Sequence, residues 1–178
     1  ALQTSEYFGT GKDPVRMGSS HPRNSPYEAY AASDGHSVLA AGNNKLFALA
    51  CDSIDLPDMK DDPRFLNTKD RAAHQKELCA ILQPLFEKNT VAHWIKTFRP
   101  LGIPCEPINT YSAAMADPLV SHFGWVRPLT LPNGFETKTF ASAVVVEGED
   151  FPIRRTAPAL DGHREDILRE LESREQDS

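Results

Sequence analysis

The amino-acid sequence predicts an α/β protein built from short antiparallel hairpins and amphipathic helices. Residues 26–42 form two strand-like runs around Ser33-Asp34-Gly35, where Gly35 is expected to supply a positive φ. Residues 125–140 form two more around Pro132-Asn133-Gly134, a strong hairpin pattern. Between the hairpins, apolar side chains recur at the spacing of one helix face: Leu78, Ile81, Leu82, Leu85 and Phe86.

Cap residues and prolines set the expected bounds of the helices. The side chain of Asn43 or Asn44 can accept from the first-turn N–H groups of one helix, and Thr90 can do so for another that ends near residue 102. One long helix is expected after Thr68, with a kink or an early end at Pro84. The remaining expected elements are a short strand within 103–109, a small helix over 110–117 and a charged helix over 162–175.

Composition excludes several classes of function. The chain has 178 residues, is 40% hydrophobic and carries a net charge of −6, with a pI near 5.5. An acidic protein of this kind is not expected to bind nucleic acid or an anionic membrane surface, because phosphate binding needs clustered Lys and Arg. No apolar run approaches the roughly 20 residues that span a bilayer. Three widely spaced cysteines suit reduced thiols, so a soluble cytoplasmic protein is expected.

The first residues have the composition of a helix end followed by a linker. The stretch ALQTSEYFGTGKDP has the expected stop pattern, with Gly9 and Gly11 before Pro14. It has no starting Met and no signal-peptide pattern. The stretch PVRMGSSHPRNSP that follows is typical of a linker or mobile loop. We therefore expect the chain to begin inside a larger protein.

Cys105 is the most conspicuous candidate nucleophile, because it lies in the stretch LGIPCEPIN. A catalytic cysteine needs a lowered pKa, supplied by a helix N-terminus, a cation or a histidine. Glu106 would have the opposite effect, and Pro104 and Pro107 favour a short extended segment. The sequence predicts that Cys105 is a packing residue on a short strand, and a cysteine-dependent hydrolase is the weaker alternative.

Other reactive residue types do not form a recognisable site. No two of the six histidines have metal-ligand spacing, so surface or capping roles are expected for His21, His36, His74, His93, His122 and His163. The acidic run MKDDPRF is expected to make turn and salt-bridge contacts. There is no phosphate-binding glycine loop and no GxSxG turn. Residue chemistry alone therefore identifies no active site.

An ordered set of short motifs nevertheless runs along most of the chain: PYEAYAASDG, AAGNNKLFALAC, DDPRFLNTKDR, LGIPCEPIN, ADPLV and APALDGHREDIL. Over about residues 7–171 this set resembles one enzyme family, the class III CoA transferases of the CaiB/BaiF type. The family includes formyl-CoA and carnitine CoA transferases and α-methylacyl-CoA racemases. Its members are longer than this chain, so the resemblance implies that the chain is the C-terminal portion of such a protein.

The resemblance also implies a division of the chain. Residues 1–25 would be the helix tail and linker, residues 26–117 a small α/β domain with antiparallel hairpins, and residues 118–178 an extended return segment to a Rossmann-like large domain. The catalytic aspartate would lie in the N-terminal portion. It would attack an acyl-CoA thioester to give an aspartyl anhydride and then an aspartyl-CoA thioester. No catalytic residue, metal or permanent cofactor is expected in this chain, and coenzyme A thioester would be a substrate.

Two segments correspond to the family's substrate cleft. Gly18, Ser19, Ser20 and His21 lie where a glycine-rich lid loop would be, although the run of glycines is missing. Asn43 and Asn44 lie where the racemases carry a catalytic glutamate. Asparagine cannot serve as a general base, which favours transfer over racemisation.

The expected partners follow from the same resemblance. They are acyl-CoA and carboxylic acid substrates and either a second copy, in an interlocked homodimer, or the missing N-terminal half. We expect the segment after Asp117 to need another chain for its stability or to exchange its amides quickly. The alternative from a different class is a fragment that acts as a scaffold or binding subunit, and a racemase-like enzyme is a further alternative.

Overall fold

The computed structural model describes residues 2–142, 144–146, 148–150, 152–153 and 155–176. It has a mixed α/β architecture and divides into two compact units, residues 1–108 and 109–178. The helix over 111–115, grouped with the small domain from the sequence, belongs to the second unit. The first unit contains α1 (Leu2–Thr10), β1 (Tyr27–Ala32), β2 (Gly35–Ala40), α2 (Asn44–Ser53), α3 (Thr68–Ala73), α4 (Gln75–Phe86), α5 (Val91–Phe98) and β3 (Cys105–Pro107). Short 3-10 turns cover Pro57–Asp61 and Arg99–Leu101.

The sheet of the first unit is antiparallel, in the order β1-β2-β3. Ala32 pairs with Gly35, so the connecting turn is only Ser33 and Asp34. The expectation of a positive φ at Gly35 was wrong, since this glycine is already the first residue of β2. The turn is stabilised from outside the hairpin, where the Val91 N–H donates to Asp34 Oδ1 at 2.8 Å.

A proline occupies one edge strand of this sheet, and a glutamine side chain hydrogen-bonds to the other. Pro107 lies on the edge strand β3, where its missing N–H breaks no ladder. On the other edge, the Gln83 side chain accepts from Ala31 N at 3.1 Å and donates to Ala31 O at 3.0 Å. The expected strand around Cys105 and its edge position are confirmed.

The long helix expected after Thr68 is two helices. The backbone changes direction at His74, with φ −108° and ψ 27°, which ends α3 and begins α4. The expected early end at Pro84 was wrong, because α4 continues to Phe86. Both Pro84 and Ala80 are exposed, so water can bind the Ala80 carbonyl that lacks a helical donor.

The core of the first unit lies between the sheet and helices α2, α4 and α5. Phe86 stacks on Tyr30 at 4.5 Å and on Trp94 at 4.6 Å between ring centroids. The Trp94 indole N–H donates to Phe86 O at 2.9 Å, so its one polar group is satisfied inside the core. Thr90 caps α5, and Gly102 ends the following turn in the left-handed region at φ 71°. Both bounds confirm the sequence prediction.

The second unit contains α6 (Tyr111–Met115), α7 (Pro118–His122), β4 (Val126–Thr130), β5 (Glu136–Phe140), β6 (Val145–Val146), β7 (Glu149–Asp150) and α8 (Arg164–Gln176). Its β4-β5 hairpin confirms the expected pattern, with Gly134 at φ 81°. The short helix α7, capped by Asp117, was not predicted. The apolar side chains of α8 are exposed. In the described part of the chain, no helix has the length and apolar content needed to cross a bilayer.

Candidate functional site

The first candidate segment, residues 17–21, folds back onto strand β1. Gly18 has φ 64°, which places it in the left-handed region that favours glycine. The Ser20 N–H donates to Met17 O at 3.1 Å and closes the turn. The Ser19 hydroxyl oxygen accepts from the Ala29 N–H at 3.1 Å. Residues 17–21, which we call the β1-flanking loop, are therefore held by hydrogen bonds as well as by chain connectivity.

His21 has a fixed orientation at the end of this loop. Its Nδ1 accepts from the N–H groups of both Arg23 and Asn24, each at 3.1 Å. The neutral ring therefore carries its proton on Nε2. The ring also stacks on Tyr27, with 5.2 Å between centroids and 2° between planes. The Gln75 side chain donates to the His21 carbonyl at 3.1 Å, so both the ring and the backbone of His21 are fixed.

Asn43 and Asn44 have different roles at the start of α2. Asn43 is the N-cap, and its Oδ1 accepts from Leu46 N at 2.8 Å. Asn44 Oδ1 instead accepts from Arg71 Nη2 at 2.9 Å. Both side chains are exposed at the surface. One asparagine thus caps the helix as predicted, and the other is held by a buried arginine.

The buried Arg71 side chain connects the backbone beside the two candidate segments. Its side chain is 0% exposed, and burial lowers its pKa from the ordinary arginine value. The guanidinium lies over the Phe47 ring, with its carbon 4.5 Å from the ring centroid. It donates to main-chain carbonyl oxygens at Ser25 (2.9 Å), Phe65 (2.9 Å) and Gly42 (2.8 Å). Arg71 therefore fixes the residues that precede Asn43 and Asn44 and those that follow His21.

Sequence reasoning did not single out Arg71, although the sequence contains a signal. In the sequence, Arg71, Gln75, Leu78 and Leu82 have the spacing of one helical stripe, and all four are buried although the structure divides them between α3 and α4. A charge on an apolar stripe indicates a buried side chain that needs several acceptors. The stripe was visible from Leu78 onward, but the distant carbonyls that satisfy Arg71 were not.

Close backbone packing also links the two candidate segments. A Cβ on Gly42 would lie 2.8 Å from the Cβ of Asn24. Asn24 in turn donates its N–H to His21. The β1-flanking loop and the start of α2 are therefore joined through Asn24, Ser25 and Arg71.

The cysteines lack the environment of nucleophiles. Burial raises the pKa of the Cys105 thiol to about 11, and the Ser37 hydroxyl opposes that effect only in part. Burial likewise raises the pKa of Cys51 to about 12. A thiol with such a pKa is protonated near neutral pH and is a poor nucleophile. The prediction that Cys105 is a packing residue is confirmed by its 1% exposure.

The acidic run forms a surface cluster, as predicted. Arg64 donates to Asp62 from its side chain, with Nη2 2.7 Å from Oδ2, and also from its backbone N–H at 2.9 Å. These bonds lower the pKa of Asp62 to about 2. Arg64 also bonds Glu77 at 2.9 Å. Across the described residues, no group of three or more His, Cys, Asp and Glu side chains could hold a metal ion.

The motifs on which the family resemblance rests lie in order along this α/β fold. The family model described as CoA-transferase family III matches residues 1–164. The chain belongs to this family, as the motif resemblance indicated.

Individual relatives agree with the family assignment. The chain is 32% identical over 160 residues to human succinyl-CoA:glutarate CoA-transferase, covering 90% of this chain and 36% of that protein. It is 32% identical over 156 residues to acetyl-CoA:oxalate CoA-transferase of Acetobacter aceti, covering 87% of this chain and 39% of the relative. A CaiB/BaiF family protein from Brucella suis has a similar structure, with a TM-score of 0.71 at 27% identity, over 96% of this chain and 44% of that one. The chain thus spans well under half the length of these relatives.

Proposed function

We propose that this chain is part of an enzyme that moves coenzyme A between an acyl-CoA and a free carboxylic acid. The observation that carries the proposal is the family match over residues 1–164, supported by relatives named as CoA transferases. Those two relatives are named for succinyl-CoA with glutarate and for acetyl-CoA with oxalate, so short dicarboxylic acids are the first substrates to test.

The proposed reaction places the nucleophile outside these residues. An aspartate carboxylate attacks the thioester carbonyl of the donor, which releases CoA thiolate and leaves an aspartyl anhydride. The thiolate then attacks the aspartyl carbonyl, which releases the donor acid and leaves an aspartyl-CoA thioester. The acceptor carboxylate then attacks the aspartyl-CoA thioester, which releases CoA thiolate and leaves a second aspartyl anhydride. The thiolate attacks the acceptor's carbonyl in this anhydride, which gives the new acyl-CoA and frees the aspartate. Coverage of 36–39% of the two relatives is compatible with this placement.

The chain's own contribution, in this proposal, is the wall and lid of the substrate cleft. The β1-flanking loop, including Gly18, Ser19, Ser20 and His21, would close over the acyl-CoA. His21 would present a fixed Nε2–H donor, because its Nδ1 is occupied by two backbone N–H groups. Asn43 and Asn44 would line the cleft without acting as bases, which favours CoA transfer over α-proton exchange.

The proposed protein is cytoplasmic and works as a homodimer or in association with its large domain. The second unit supports the need for a partner, because several of its large apolar side chains are exposed: Tyr111, Leu119, Phe123, Phe135 and Phe140. Exposed apolar side chains of this number are typical of interaction surfaces.

The experiment compares this chain with a longer protein that carries the same residues and the large domain. Each is given succinyl-CoA with glutarate or oxalate, and new acyl-CoA is followed by mass spectrometry. The longer protein is expected to transfer CoA, and the 178-residue chain is not. Turnover by the chain alone would contradict the placement of the nucleophile.

A second measurement separates transfer from racemisation. The longer protein is incubated with a 2-methylacyl-CoA in deuterated water. Incorporation of deuterium at the α-carbon without CoA transfer would favour the racemase alternative. No reaction of either kind, in a folded protein of verified length, would favour a scaffold or binding role.

A further inference from the structure

A buried carboxylate, Glu28 on strand β1, lies directly beneath the β1-flanking loop. Its residue is only 6% exposed. Oε2 accepts from the Ser20 hydroxyl at 2.5 Å, and Oε1 accepts from the Tyr30 hydroxyl at 3.1 Å. Burial raises the pKa of the Cys79 thiol, and the negative charge of Glu28 adds to this effect. The Ser20 and Tyr30 donors are neutral groups, which is an unusual environment for a buried carboxylate.

The two carboxylate oxygens connect a rigid region to a loop. Tyr30 is fully buried and stacks on Phe86 in the core, so Oε1 is tied to the best-packed part of the first unit. Oε2 is tied to Ser20, which is only half-buried. The burial of Tyr30 and, second in importance, the negative charge of Glu28 raise the pKa of the Tyr30 hydroxyl, which therefore stays protonated and donates to Oε1.

We propose that Glu28 is a positioning residue that holds the β1-flanking loop closed against strand β1 through the Ser20 hydroxyl. Among the described hydrogen bonds of the loop, only the Ser20–Glu28 bond has a carboxylate acceptor. A hydroxyl that donates to a carboxylate makes a stronger bond than one between neutral groups. The Ser20–Glu28 latch therefore governs the balance between a closed and an open loop.

Opening the loop would also expose the carboxylate. When Ser20 leaves, Oε2 loses its donor and must be solvated by water that enters under the loop. The consequence for acyl-CoA access rests on the proposed function, in which this loop is the lid. The latch itself is a property of the first unit and does not depend on that function.

Hydrogen exchange of the whole chain, measured residue by residue by NMR, tests the latch. The reporters are three amides of the loop and of β1. The Ser20 N–H donates to Met17 O and the His21 N–H to Tyr27 O. The Ala29 N–H donates to Ser19 Oγ. Ser20→Ala and Glu28→Gln are each expected to speed exchange of these amides about tenfold or more. The reference amides of Phe47 and Leu78, which belong to α2 and α4, should change little.

Two controls make the result specific. Ser20→Thr keeps the hydroxyl and should retain slow exchange in the loop. Glu106→Gln is the same substitution on an exposed glutamate of the same sheet, and it should leave the loop unchanged. A merely structural loss would instead speed the reference amides and the loop amides together.

The double variant Ser20→Ala/Glu28→Gln tests whether the two residues act through each other. A direct bond predicts that the double variant exchanges no faster than the faster single variant, because either change by itself removes the charge-assisted bond. Multiplying effects would overturn the proposal, as would loop exchange unchanged by Ser20→Ala. If Glu28→Gln does not fold, Ser20→Ala with the Ser20→Thr rescue decides the matter. No substrate is used, so this outcome is independent of the CoA-transfer assay.

Discussion

Replacing the buried Arg71 by lysine tests how the candidate segments are held together. The guanidinium donates to the carbonyls of Ser25, Phe65 and Gly42 from three different nitrogens, so the three acceptors lie in different directions around its plane. Lysine keeps the positive charge, but its single ammonium cannot reach all three carbonyls. Arg71→Lys therefore leaves at least one buried carbonyl unsatisfied and also removes the contact over the Phe47 ring.

The expected loss of stability follows from the bonds that break. A buried acceptor left without its donor costs about 1–3 kcal/mol, and loss of the cation–π contact adds about 1 kcal/mol. We expect Arg71→Lys to lower the free energy of unfolding by about 2–4 kcal/mol. Native domains have only about 5–15 kcal/mol in total, so the effect would be large.

Urea unfolding measures this loss in the first unit. Trp94 is buried in that unit and Trp125 lies in the other, so a Trp125→Phe background lets fluorescence report Trp94 alone. Arg64→Lys is the matched control, because Arg64 is exposed on the same motif and its change should have little effect. If Arg71→Lys is no more destabilising than Arg64→Lys, the proposed role of the buried guanidinium is wrong.

Three further predictions concern packing, thiol reactivity and pH. Gly42→Ala forces its new Cβ against Asn24 and should destabilise the first unit by about 1–3 kcal/mol. Gly35→Ala is the control, because its Cβ would lie 3.5 Å from Val91 Cγ2, an ordinary contact. Equal unfolding curves for the two variants would refute the close approach at Gly42. Iodoacetamide at pH 8 should label Cys105 only as fast as the chain opens, because the side chain is 1% exposed and its pKa is about 11. Rapid labelling of native protein would contradict this. The Asp62 carboxyl should titrate near pH 2 by NMR, and Arg64→Gln should raise that midpoint toward 3.8. Because the folded pKa is lowered, this stabilisation is complete above about pH 4 and is lost as the pH falls toward 2; a midpoint that Arg64→Gln leaves unmoved would count against it.

Local patterns were sufficient to predict most elements of the first unit. Thr90 was predicted as a cap, and Asn43 as one of two candidates with Asn44, because a cap depends only on a side chain and the next turn of backbone. The strand at Cys105 was recognised because its flanking prolines restrict their own neighbours. The motif order also identified the family, since it spans nearly the whole chain.

Long-range contacts were beyond such reasoning. The break at His74, with φ −108° and ψ 27°, falls within a stretch whose apolar spacing is that of one helix. Gly35 has no positive φ because it already pairs with Ala32 as the first residue of β2, and the turn is held instead by Val91, which lies far along the chain. Neither effect has a local pattern in the sequence.

The sequence by itself determined most of the local elements, the inert character of Cys105 and the family of this protein. The tertiary structure alone decided which groups satisfy the buried charged side chains. Arg71 reaches Ser25, 46 positions away, and Glu28 joins a surface loop to Tyr30 and the core. The physical reason is that a buried charge needs several hydrogen-bond partners at once, and only the folded chain brings such distant groups together.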